Sequence, residues 1–117
     1  MKYMLLIYLD EKAWADLGEA EQSRVMTSFQ PKVDKLTAEG KMLGGQPLQY
    51  TSTAKTVRVK NGKRVVTDGP FAETREQLGG YCFLDVPNLD EAIDIAHGFI
   101  GVERLTSIEV RPVLDQT

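Results

Sequence analysis

The stretch Tyr3-Met-Leu-Leu-Ile-Tyr-Leu9 is apolar on both of its alternating faces. In an extended strand Tyr3, Leu5, Ile7 and Leu9 point one way, and Met4, Leu6 and Tyr8 the other. A strand with no polar face belongs in the middle of a sheet that is covered on both sides. It is too short to cross a bilayer and runs directly into Asp10-Glu11 rather than a small-residue cleavage site. It therefore reads as a buried first strand, not a signal, and no membrane partner is expected. At 117 residues, the span 1–117 reads as one domain with a single core.

Downstream, Asp10 is placed to cap a short turn through Trp14 and Leu17 that Gly18 ends. Trp14 reads as a packing anchor. Val25, Phe29, Val33 and Leu36 recur at helical spacing, with Pro31 between them and Gly40 beyond. The pattern predicts one kinked helix over 19–39, or two helices with Pro31 opening the second. A second strand follows over 42–48, weakened or bulged at Gly44-Gly45. Lys55-Thr-Val-Arg-Val-Lys60, Asn61-Gly62 and Lys63-Arg-Val-Val-Thr67 predict a hairpin with a type I′ turn. Its tip is basic; a charged ribbon that resists edge-to-edge pairing is favoured over a phosphate contact. Residues 80–86 alternate again, with Tyr81, Phe83 and Asp85 opposite Cys82, Leu84 and Val86. Asn88 and Glu91 resemble a capping box for a helix whose stripe is Leu89, Ala92, Ile93, Ala96 and Ile100. Ser107 to Val113 reads as the last strand.

Between hairpin and third core strand lies Asp68-Gly-Pro-Phe-Ala-Glu-Thr-Arg-Glu-Gln-Leu-Gly-Gly-Tyr81. Loops held at strand ends by a rigid scaffold are common places for chemistry. Phe71 is expected to insert beneath this loop, and Glu73-Thr-Arg75-Glu76 to form one helical turn. The stretch resembles the signature of the DGPF branch of the YCII-related proteins. The likeness extends over Leu43-Gly-Gly-Gln-Pro-Leu48 and Ile108-Glu-Val-Arg-Pro-Val113. The resemblance implies a ferredoxin-like fold that dimerises into an α+β barrel. It implies no assigned reaction, and for some members a place beside extracytoplasmic-function sigma factors.

Without the hairpin, the order of elements is β-α-β-β-α-β, an α+β ferredoxin-like arrangement with both helices on one sheet face. The other face would expose Tyr81, Phe83 and half of the first strand, more than a stable monomer usually tolerates. Pairing two sheets about a two-fold axis covers it, so a homodimer is expected. Glu109, Arg111 and Asp85 fall on that face, with Arg58 joining from the hairpin. They serve either as interface ion pairs or as the lining of a cleft with Asp68 and Glu73 at its mouth.

The chemistry this inventory best supports is a carboxylate general base with an Arg or Tyr stabilising an anion. Asp68 or Glu73 takes the catalytic role, Arg58 or Arg75 holds an anionic group of a small ligand, and Phe71 and Tyr81 complete the site. The alternative is a non-enzymatic module that binds a metabolite or protein partner and regulates, through an apolar groove. A single His97 excludes a multi-histidine metal site, and no cofactor motif is present. Cys82 reads as an inert core thiol. One cysteine forbids an intramolecular disulfide and fits a reducing cytoplasm. A net charge of -3 argues against nucleic acid as the main partner.

Overall fold

The computed structural model describes residues 1–115, so the last two residues of the expected 1–117 domain lie outside the described residues. In chain order the elements are β1 (Lys2–Leu9), α1 (Glu11–Asp16), α2 (Glu19–Ala38), β2 (Met42–Pro47), a 3-10 turn (Thr51–Thr53), β3 (Lys55–Lys60), β4 (Lys63–Asp68), β5 (Gln77–Asp85), α3 (Leu89–His97) and β6 (Thr106–Pro112). Four strands form one antiparallel sheet in the order β2-β5-β1-β6, while β3 and β4 make a separate two-stranded ribbon. The architecture is α+β and consistent with a ferredoxin-like arrangement.

The doubly apolar strand occupies the place its sequence requires, between β5 and β6. Tyr3 sits opposite Leu84 and Leu5 opposite Cys82, all on the helix-backed face. Leu5 and Leu84 are fully buried and anchor a core with Tyr3, Met42, Cys82, Val86, Ala92, Ala96 and Phe99. Met4 pairs with Phe83 and Leu6 with Tyr81 on the opposite face, where these side chains remain half-exposed. Register also puts Glu109 beside Leu6, Arg111 beside Met4 and Asp85 beside Lys2 on that open face.

Of the two readings at Pro31, one helix holds: α2 runs through it. Its end is closed by Gly40 at φ 73°, a backbone that L side chains rarely adopt. Gly40 N–H donates to Thr37 O at 3.1 Å and Lys41 N–H to Leu36 O at 2.9 Å, the paired bonds of a Schellman motif. Asn88 caps α3 by accepting from Glu91 N–H at 2.9 Å. The Glu91 carboxylate pairs with Lys41 at 2.8 Å, joining α3 to the start of β2.

Three local expectations are corrected. The buried stripe of α3 is Ala92 and Ala96, continued by Phe99, whereas Leu89 and Ile93 are 44% and 47% exposed. The helix is rotated so that its small residues meet the sheet and Phe99 stacks at 5.4 Å on Phe29 of α2. No helical turn forms over 73–76; β5 begins already at Gln77, because Leu78 and Gln77 find partners in Tyr8 and Leu9 across a bulge. Phe71 is not inserted but 79% exposed.

The shape is plate-like, 47 × 45 × 21 Å, with a radius of gyration of 16.1 Å. A compact chain of this length has a radius of about 13 Å. The accessible surface of 8429 Å² likewise exceeds the roughly 6,400 Å² usual for a folded monomer of this mass. The ribbon, the open sheet face and a gap beneath α2 all contribute to that excess.

Candidate functional site

A cleft of about 970 Å³ lies between α2 and the helix-backed face of the sheet. Its floor is Ile7 and Leu9 of β1, Gly79, Gly80 and Cys82 of β5 and the Gly45–Pro47 end of β2. Its roof is Val25, Met26, Phe29 and Val33 of α2, and Trp14 of α1 stands at one end. The cleft exists because α2 is weakly apolar: over twenty residues Val25 alone is buried, so the helix stands off the sheet instead of sealing it. Gly45 draws β2 against β5, since a Cβ there would lie 2.5 Å from the Tyr81 carbonyl oxygen. The volume falls at the upper end of the range usual for small-molecule sites.

The mouth is held by a polar lattice. The Glu11 carboxylate accepts from Thr51 N–H at 2.8 Å and Thr51 Oγ1 at 2.6 Å, tying α1 to the turn after β2. Glu11 N–H donates to Gln77 Oε1 at 2.9 Å, and Gln22 Nε2 donates to Trp14 O at 2.8 Å. Glu11 and Glu19 are the charged residues among the described lining; the others are apolar, glycine, amide or hydroxyl. Cys82 sits in the floor, where burial pushes its thiol up to about 11. At neutral pH it is a protonated, poorly nucleophilic wall.

The Asp68 loop lies elsewhere, at the base of the ribbon. Asp68 pairs with Lys55 across the ribbon and is 88% exposed. Arg58 donates from Nη2 to the Phe71 carbonyl at 3.2 Å, so it braces the loop and does not join the charges of the open face as expected. Thr56 Oγ1 donates to Gly69 O at 2.8 Å and Gly69 N–H to Ala54 O at 2.7 Å. Glu73 and Arg75 are exposed. The loop sets Arg58 against the Phe71 carbonyl and Asp68 against Lys55, and of the six residues singled out in sequence only Tyr81, whose side chain shares the open face with Leu6, is also among the residues bordering the cleft. On the open face, Glu109 is paired within the chain: Arg111 Nε donates to it at 2.8 Å and Tyr8 Oη at 3.4 Å. Asp85 accepts from the amino terminus at 3.3 Å.

A family model for the YCII-related domain matches residues 1–117. The chain belongs to the YCII-related family. Its similarity to an uncharacterised protein of Rhizobium meliloti (strain 1021) is 39% identity over 114 residues, covering 97% of this chain and 92% of the relative. Among the described residues of this YCII-related chain, no helix is long and apolar enough to cross a membrane.

Sequence reading missed the cleft-mouth residues Glu11, Gln22, Thr51 and Tyr50, and assigned Trp14 and Met26 to packing alone. A signal was present. The long helix carries few large apolar side chains, and glycine pairs fall in both strands beneath it, which together leave a sheet face incompletely filled.

Proposed function

We propose that this YCII-related protein is a member of the DGPF branch, which its Asp68–Tyr81 stretch resembles, and a homodimeric small-molecule-binding module whose ligand occupies the cleft beneath α2. The observation that carries this is a large apolar cleft, with polar groups fixed at its mouth, that none of Asp68, Glu73, Arg58 and Arg75 lines. An apolar groove free of the loop carboxylates suits binding without turnover, as in a regulatory module beside a partner such as an extracytoplasmic-function sigma factor. Because the described lining holds Glu11 and Glu19 and no Lys or Arg, the cleft favours a neutral or cationic ligand with an apolar body. An anionic ligand, if one is used, belongs to Arg58 and Arg75 at the ribbon base.

The open face supports the homodimer. Met4, Leu6, Tyr8, Tyr81 and Phe83 form one half-buried apolar surface with no helix over it among the described residues. A second copy related by a two-fold axis covers it with the same residues. Catalysis by Asp68 or Glu73 is a separate reading that needs the same second copy, since neither carboxylate is shielded within one chain.

The test is a thermal-shift panel of matched neutral aromatic, alkylamine and carboxylate compounds. Neutral or amine compounds should raise the melting temperature, and Met26→Trp, which fills the cleft from its roof, should weaken the best binder at least tenfold. Affinity unchanged in that variant, or preference for carboxylates, rejects the cleft as the site.

A further inference from the structure

We infer that the β3–β4 ribbon is an intersubunit arm, packing its valine face on the body of a second copy of this chain. The inference rests on the paired-sheet reading above and adds to it a surface that reading does not need.

Register divides the ribbon into two unlike faces. Thr56, Arg58 and Val65 share one face, and Thr56 and Arg58 bond to the Gly69 and Phe71 carbonyls of their own chain. Val57, Val59 and Val66 share the other, and they are 62%, 76% and 50% exposed. An isolated two-stranded hairpin is marginal in water, and a β-branched stripe open to solvent gives it no support. The bare stripe therefore calls for a partner surface.

Charge and area both select a second copy. Residues 55–67 carry five of the fourteen basic residues and no acidic one. The remainder of the chain is left with nine basic against seventeen acidic residues. A basic arm on an acidic body is complementary to another such body, and repels its own kind arm to arm. The surface beyond that of an ordinary monomer is about 2,000 Å². Four strands spaced about 4.8 Å apart and about 20 Å long present only some 400 Å² of flat sheet. The open face alone accounts for a fraction of the excess, and the ribbon contributes to it beside the cleft under α2.

The test is sedimentation velocity over a dilution series on the full chain. Val57→Lys/Val66→Glu replaces one apolar cross-strand pair by an opposite-charge pair, which keeps the ribbon itself paired. It should raise the dimer Kd at least a hundredfold while the circular dichroism spectrum is retained. Lys60→Glu/Lys63→Glu should raise it about tenfold in 0.1 M salt and less in 0.5 M salt. A dimer Kd unchanged in both variants overturns the arm and leaves the paired sheet standing. Loss of binding to a fluorescent oligonucleotide in the tip variant, with dimerisation untouched, overturns it in favour of nucleic acid. A wild-type chain that stays monomeric at high micromolar concentration sinks arm and paired sheet together.

Discussion

Two faces of one sheet carry nearly the same chemistry and meet different fates. On β5, Leu84 is fully buried while its neighbour Phe83 is half-exposed; on β1 the same contrast separates Leu5 from Leu6. The helix-backed side is closed by α3 and by the C-terminal half of α2, and it still keeps a cleft where α2 stands off. The other side is closed by nothing among the described residues. Hydrophobicity alone therefore did not decide what is core here; the count of covering layers did.

The sharpest way to break this comparison is a pair of truncations on adjacent residues. Leu84→Ala removes a fully buried side chain and should cost about 2–5 kcal/mol at every protein concentration. Phe83→Ala should cost little in dilute solution, and its cost should grow with concentration, because the lost contact belongs to the assembly. Urea melts at two protein concentrations a hundredfold apart read both. Equal, concentration-independent losses would show that the open face is stabilised within the chain, and the need for a second copy would disappear.

A smaller effect separates the wet mouth of the cleft from its floor. Burial holds the Cys82 thiol at about 11, above its ordinary 9.0. Below the unfolded value both states keep the proton, and the full stability is present. Between the two values only the unfolded chain ionises, so stability falls as pH rises through that window. The loss is at most about 2–3 kcal/mol. Taking the difference between wild type and Cys82→Ala from pH 8 to 11 removes the background titration of lysines and tyrosines. A difference that stays flat across that range would mean water reaches the thiol and the cleft floor is not dry.

The fold was legible because its strongest signals are local and periodic. The doubly apolar first strand, the Asn61-Gly62 turn with φ 53° and 75°, and the Asp10 and Asn88 caps each fix one element by its own chemistry. The phase of α3 was not legible: Leu89 and Ile93 match the helical period as well as Ala92 and Ala96 do, and only the close approach of helix to sheet selects the small pair. The cleft was hidden for the same kind of reason. It is a space left between α2 and three strands far apart in the chain, whereas a charged, glycine-flanked loop announces itself in one line of sequence. Asp68 and Glu73 stand out in the sequence by the density of functional groups around them, and density does not say whether a loop faces a cavity or water.

The smallest expected effect bears directly on that loop. Asp68 and Lys55 pair across the ribbon base with side chains 88% and 62% exposed. Exposed pairs of this kind are worth about 0–1 kcal/mol, since water and salt screen them and two long side chains must be ordered. Asp68→Asn should therefore shift stability by less than about 1 kcal/mol in dilute solution. A larger loss that appears only where the chain associates would show that a second copy covers this corner, bringing the carboxylate out of water and making it a candidate base. Once a substrate is in hand the same variant decides the chemistry: lost turnover with intact dimerisation and cleft binding assigns the proton transfer to Asp68. Unchanged turnover removes Asp68 from the reaction and leaves the cleft beneath α2 as the site to be explained.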